Sequence, residues 1–428
     1  MKSVHEFEPF SEETIDCPYE FYQAMREQEP VYQAAPGVYF VTTYDLIRKV
    51  LIDTDTFSSK NGAAFLNFQG EEGLAPPAMP PPEILEILKH GVEPRDTMLS
   101  ADPPEHTRFR ALVNRSLTPR RVARLDHVMH KVVDDLIDKF VDRGEVEFVQ
   151  EFSMMVPLTV VSVALGVTPT ELENYKRWSI DSVKILAGRV TYDEQVVAAQ
   201  AGVDLDNFLA GQVQAARRDG GENLVGDLVN AHMLTDETED GHEEYRALDT
   251  PEIVSILRQL LVAGQETVNY LLSSTMLTLL QNPAELAKVE ADRSLIPAML
   301  EEGLRLDSPI QALGRFVVKD TELGGVKLAA GSRIMVMYGC GNRDQAIFSH
   351  ADEFHIERND GRNHVGFGAG PHYCVGANLA RLESKIAMEH WFDRIGNVRL
   401  APGKNDFKHQ YNFIFRALNE LHLEFERR

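Results

Sequence analysis

Cysteine is scarce in this chain. There are three in 428 residues, Cys17, Cys340 and Cys374, odd in number, far apart and without a CxxC pair. That excludes a disulfide framework and fits a reducing compartment, so a cytoplasmic protein is expected. Basic residues are also short, 43 against 66 acidic ones, for a net charge of −23. A chain so acidic is a poor general binder of nucleic acid or of anionic membranes. No clean apolar run of membrane-spanning length exists. The longest, from Ile253 to Leu280, is interrupted by Arg258, Gln259, Gln265 and Glu266, and the opening "MKSVHEFEPF" does not resemble a secretory signal. No membrane anchor is expected. No internal repeat, nicotinamide motif or flavin motif is present either.

The segments that remain read as a mainly helical protein with small β-sheets, an α+β arrangement. "VYQAAPGVYFVTT" (31 to 43) has the form of two short strands around Pro36-Gly37. From Pro103 to Pro297 almost everything reads as helix, each segment opening on a capping signal such as "DPPEH", "VTPTE" or "LDTPE". Strands are expected again at 314–318, 334–338 and 412–425, and a helix from about Val375 to Phe392. The proline-rich stretch from Gly62 to Asp96 is too long for a simple connection and is expected to be functional or mobile. Its part from Gly62 to Leu88, together with the region 180–191, is expected to roof a pocket. A single domain over residues 1–428 is expected.

The informative stretch is "HVGFGAGPHYCVG", residues 364 to 376. Its glycines are not a dinucleotide fingerprint, because the third comes one place early and Pro371 follows it. A zinc site from His364, His372 and Cys374 would lack a fourth ligand and the usual paired spacing. An inert buried cysteine is the general alternative. However, Cys374 stands where a glycine-rich loop meets a helix, where free amides and the helix dipole stabilise a thiolate. A single thiolate without protein co-ligands suits an iron whose other ligands come from a porphyrin.

The run from Phe367 to Gly376 resembles the haem-binding signature of the cytochrome P450 family, F-G-x-G-x-H-x-C-x-G, at every specified position. That resemblance implies the P450 fold, with haem b buried between a long central helix and the cysteine-loop helix. It also implies Cys374 as axial ligand of the iron, with Phe367 and Gly368 lining the haem. Other stretches match the family in order. Glu302 and Arg305 form E-x-x-R, with Arg358 as third partner of a structural charge network. "AGQET" resembles the oxygen-activation motif, in which Ala263 and Gly264 border the haem, Gly264 lets the helix bulge, and Glu266 and Thr267 relay protons. His106, Arg110, Arg315 and His364 are expected partners of the haem propionates.

The expected activity is that of a haem-thiolate monooxygenase. It would insert one oxygen atom of O2 into a small apolar organic substrate, by hydroxylation or epoxidation, with electrons reaching it from NAD(P)H through a separate ferredoxin and reductase. A peroxide-using haem peroxygenase is the alternative. Its relatives tend to replace the acid–alcohol pair, so Glu266 and Thr267 argue against it. A non-catalytic haem sensor is the alternative of another class. Arg108, Arg110, Arg115, Arg120, Arg121 and Arg124 form a basic run in an acidic chain, an expected ferredoxin landing site. Gln259 lies on the Thr267–Ala263 stripe at helical spacing and is expected to point into the pocket beside Val262, either to read a polar substrate group or to satisfy a local backbone defect.

Overall fold

The computed structural model describes residues 2–60, 80–116, 119–168, 170–187, 190–237 and 243–428. Part of the proline-rich stretch and the tip of the 180–191 region therefore lie outside the described residues.

The centre of the molecule is a 32-residue helix, Thr250–Gln281. Its start is set by Asp249, whose carboxylate accepts the amide of Glu252 at 2.8 Å, while the Glu252 carboxylate accepts the amide of Asp249, also at 2.8 Å. This reciprocal pair satisfies two amides that a helix start otherwise leaves open. Thirty-two residues span about 48 Å, long enough to cross a domain. The second half is buried on nearly every side from Val268 to Leu279, so no polar face was needed there.

Around this axis pack the helices Pro119–Ile137, Met155–Leu165, Tyr192–Asp219, Ile296–Leu306 and Ala377–Arg394. The largest core cluster gathers on Trp391 of the last of these, ringed by Phe140, Phe148, Phe152 and Phe425 at centroid distances of 4.8–6.0 Å. Beside the helices lies a five-stranded sheet in the order Val31–Ala35, Val38–Val41, Arg333–Val336, Leu313–Val317, Phe57–Ser58. Its central strand Arg333–Val336 runs parallel to Val38–Val41 and antiparallel to Leu313–Val317, with Ile334 opposite Arg315. Among the described residues, no helix is long and apolar enough to cross a membrane.

The expected strand pair at 31–43 and the strands near 314–318 and 334–338 are present. The helical reading of 103–297 missed a strand at Glu145–Glu147 and a hairpin, His232–Glu237 with Glu243–Ala247. "HMLTDE" and "EEYRA" are too short and charged to stand out against flanking helices. In the C-terminal stretch only His422–Arg427 is a full strand. The preceding residues are held by single bridges, Ile310 to Phe415 and His409 to Leu418. The cysteine-loop helix begins at Ala377 and ends at Arg394.

Candidate active site

The glycine loop is a chain of tight reversals. Gly368 and Gly370 have φ of +73° and +67°. At Gly370 the positive φ is compounded by crowding, since a Cβ would lie 2.7 Å from the Leu51 carbonyl oxygen. Only glycine fits there. The turns are closed by the Gly368 amide on the Val365 carbonyl at 2.8 Å and the Cys374 amide on the Phe367 carbonyl at 2.8 Å. They leave Cys374 accessible yet largely surrounded by protein. Burial pushes its thiol above the ordinary range, and the Gly376 amide, the Arg110 and Arg381 guanidinium groups and the Ala377 amide pull it back. Burial therefore outweighs the thiolate-stabilising effect expected from the loop's place before a helix.

Two buried carboxylates hold this loop from below, and they are neighbours in sequence. Glu302, fully buried, receives Nε and a terminal nitrogen of Arg305 at 2.8 and 2.9 Å and Nε of Arg358 at 2.8 Å. Arg305 also donates to the carbonyls of Asn342, Ala351 and Glu353 at 2.6–3.0 Å. The charges are paired and their remaining donors are used, as burial demands.

Glu301 makes the second set. Its carboxylate accepts Nε and a terminal nitrogen of Arg381 at 2.5 and 3.0 Å and contacts His364 Nε2 at 3.0 Å. Burial raises the Glu301 carboxyl, but bonds to His364 and Arg381 outweigh it and hold the group down at about 2. Arg381 stacks over the Phe367 ring at 4.5 Å, so the residue whose carbonyl anchors Cys374 is held from its face.

His364 is therefore not where the family resemblance put it. Its Nδ1 accepts the Gly366 amide at 3.0 Å and its Nε2 is engaged by Glu301. Both ring nitrogens are committed beneath the loop. The histidine that joins the basic cluster is His372. Its ring lies 4.0 Å from that of His106, and its Nε2 is 3.1 Å from Ser59 Oγ. Burial and the nearby Arg315, His106 and Arg110 hold His372 down to about 3, and burial and Arg110 lower His106. Arg110 donates to the Pro371 carbonyl at 3.0 Å. The loop turns so tightly that His364 and His372 face different surroundings, which the residue count alone did not show.

Among the described residues, Asp102 is the carboxylate that acts on this cluster. The nearby Asp102 carboxylate is taken by the Ser59 amide at 2.8 Å and the Ser58 hydroxyl, and buried His106 Nδ1 has no partner. Two arginines and two histidines gathered beside an accessible cysteine suit a flat, largely apolar group that carries carboxylates. The residues fit haem. Among the described residues, no group of three or more His, Cys, Asp or Glu side chains is placed to hold a metal ion alone.

On the central helix, Ala263 is exposed and Gly264 and Thr267 are partly so, although the residues beyond are buried. The expected bulge at Gly264 is absent: the helix runs unbroken from Thr250 to Gln281, and the Thr267 hydroxyl donates to the Ala263 carbonyl at 2.6 Å. Glu266 is buried, with its carboxylate receiving the Tyr270 hydroxyl and lying 3.3 Å from Gln265 Nε2. Burial raises the Glu266 carboxyl, against the Tyr270 bond. Consecutive helical residues diverge by about 100°, so the acid and the alcohol are not bonded to each other. Val262 is half-buried against the core. Gln259 accepts the Leu99 amide on its Oε1 at 3.2 Å, which favours the backbone-satisfying reading of that side chain.

The sequence pattern of the cytochrome P450 family matches residues 71–396. The chain belongs to the cytochrome P450 family. It is 34% identical to cytochrome P450 107B1 of Saccharopolyspora erythraea over 76% of each chain. It is 29% identical to a steroid C26-monooxygenase of Mycobacterium tuberculosis, over 89% of this chain and 86% of that one. The solved structure of cytochrome P450 CREJ in complex with (4-ethylphenyl) dihydrogen phosphate superposes with a TM-score of 0.85, at 30% identity, over 99% of this chain and 100% of that one. P450BioI in complex with an acyl-ligated acyl carrier protein superposes at 0.82, at 26% identity, over 97% and 100%. The chain has the P450 fold, is an oxidoreductase of the monooxygenase class, and takes haem b as cofactor.

Proposed function

We propose that Cys374 is the axial ligand of the haem iron and that the enzyme oxygenates a small apolar organic molecule with O2. The observation that carries this is the meeting of an accessible cysteine, at the end of a glycine loop, with the anion-seeking cluster of His106, Arg110, Arg315 and His372. His372 takes the place that His364 was expected to fill. When bound, haem supplies the activation of dioxygen and the transfer of one oxygen atom.

The residues of this chain do the rest. Arg110 and Arg315 would neutralise the propionates, and His106 and His372, held toward their neutral forms, would offer them N–H donors. Phe367 and Gly368 back the cysteine. Ala263 and Gly264, small and accessible, leave room on the opposite side. Thr267 Oγ presents a hydroxyl there, with its proton parked on the Ala263 carbonyl at rest. Glu266, whose carboxyl burial raises, stands one residue away as the acid of the pair. Proton transfer to the site requires the carboxyl to leave Tyr270. The presence of this pair supports oxygen chemistry over a peroxide-driven or non-catalytic role.

Electrons come from a separate ferredoxin and its reductase in this reading, and the enzyme works in the cytoplasm. Arg115 is exposed, as a docking residue must be, whereas the side chains of Arg120, Arg121 and Arg124 lie outside the described residues. The test is the reduced carbon monoxide complex. The protein should show the red-shifted Soret band of thiolate ligation, and Cys374→Ala should abolish it. Persistence of that band in the variant would remove Cys374 from the iron.

A further inference from the structure

Tyr270 holds the acid of the acid–alcohol pair from one turn further along the central helix. Its hydroxyl donates to one oxygen of the Glu266 carboxylate, and Gln265 Nε2 lies 3.3 Å from the other. Glu266 and Tyr270 stand four residues apart, so they share a stripe of the helix, about 100° round from the stripe of Ala263 and Thr267. Both are buried, at 8% and 6% exposure. Burial and the Tyr270 bond are the influences on the Glu266 carboxyl, and no charged group joins them among the described residues.

The tyrosine is the fixed member of the pair. Its ring meets that of Phe415 at a centroid distance of 6.1 Å. Phe415 is held by backbone bonds on both sides, the Gln311 amide on the Ile414 carbonyl at 2.7 Å and the Arg416 amide on the Pro309 carbonyl at 2.9 Å. Arg416, the charged neighbour of Phe415, is turned to Asp307 at 3.1 Å. The Glu266 carboxyl, at the end of a side chain rich in rotamers, is the member that can turn. The bond also tells its two states apart. A hydroxyl bonded to a carboxylate makes a charge-assisted bond about twice as strong as one to a neutral acceptor. Tyr270 therefore grips the anion and holds the protonated acid loosely. Burial and Glu266 keep the Tyr270 hydroxyl well above its ordinary range, so it remains the donor throughout.

We propose that Tyr270 is a positioning residue for proton delivery: it retains Glu266 as the carboxylate and releases it as the carboxylic acid, so that the side chain leaves for the Thr267 side only when it carries a proton. This rests on the acid–alcohol reading of Glu266 and Thr267 given above. In the step, the carboxyl O–H bond breaks and the proton passes to the Thr267 hydroxyl oxygen, whose own proton leaves the Ala263 carbonyl for the site. The carboxylate returns to Tyr270 and takes its next proton from water. A phenylalanine at position 270 would pack in the same way and distinguish neither state.

The experiment uses the haem-loaded, full-length protein and two readouts. The first is the infrared carbonyl band of protonated Glu266, assigned by its loss in Glu266→Gln and followed against pH without turnover. Tyr270→Phe keeps the ring against Phe415 and removes the hydroxyl. A bond that favours the charged form lowers the titration of the carboxyl. Its loss should therefore raise the midpoint by about one to two pH units, the interval that a hydrogen bond to a charged group supports. Phe415→Leu disturbs the packing, keeps the hydroxyl and should leave the midpoint in place. The second readout is product formed per NAD(P)H against pH. Coupling draws on the protonated acid, so its alkaline limb should move up by the same interval in Tyr270→Phe. It should not move between Glu266→Gln and the double variant that also carries Tyr270→Phe. An infrared midpoint unmoved in Tyr270→Phe would overturn the proposal. So would an equal shift in Phe415→Leu, which would assign the effect to packing. Failure of the acid–alcohol reading would look different, because the infrared midpoint would then move in Tyr270→Phe and the coupling profile would not.

Discussion

The two sides of the site are held by different kinds of bond. Beneath the cysteine loop, Glu301 and Glu302 are both buried, and between them they engage Arg305, Arg358, Arg381 and His364 in charge-assisted bonds of 2.5–3.0 Å. Across the site, residues 95–99 are fastened to the central helix by two neutral bonds to half-buried side chains. The first arrangement tolerates little movement, because any loosened member leaves a buried charge unpaired. The second can open at small cost. Under the haem reading proposed above, the rigid side is the one that carries the cysteine ligand, which demands fixed geometry.

Breaking the rigid side should cost most. Arg305→Ala strips the fully buried Glu302 of two of its bonds and should lower unfolding stability by about 3–5 kcal/mol, or prevent haem-loaded protein from accumulating. Denaturant unfolding followed by haem absorbance measures it, and a loss below about 1 kcal/mol would mean that Arg358 alone suffices. Glu301→Gln is the milder version. It keeps the shape and loses the charge that faces Arg381 and His364. A loss of about 1–3 kcal/mol is expected. The mirror experiment is Thr267→Ala on the yielding side. Stability should change by less than about 1 kcal/mol, because the hydroxyl bonds only its own helix. Product formed per NAD(P)H consumed should fall by roughly tenfold or more, as expected when a positioned proton donor is removed. A Thr267→Ala enzyme that stays fully coupled would assign proton delivery to another group.

Much of the rigid side was legible in the sequence. The glycine spacing and the lone cysteine marked the loop, and Glu302, Arg305 and Arg358 form the network that their order suggested. What escaped was direction. His364 and His372 flank glycines of positive φ, and residue order does not say which ring turns toward the basic cluster. Glu301 and Arg381 belong to no motif read from the sequence. Their pairing depends on a contact 80 residues apart. On the yielding side, Gln259 was rightly placed on the Thr267 stripe. Its partner is a backbone amide 160 residues away, which no local pattern encodes. The missing bulge at Gly264 has the same origin. Glycine permits a break but does not require one, and here the Thr267 hydroxyl bonds the carbonyl in an unbroken helix.

Hydrogen–deuterium exchange on the haem-loaded protein tests the contrast most directly. Residues 364–376 should exchange slowly, and residues 95–99 should exchange fast. Equal protection of the two segments would contradict the division between a fixed cysteine side and a yielding one.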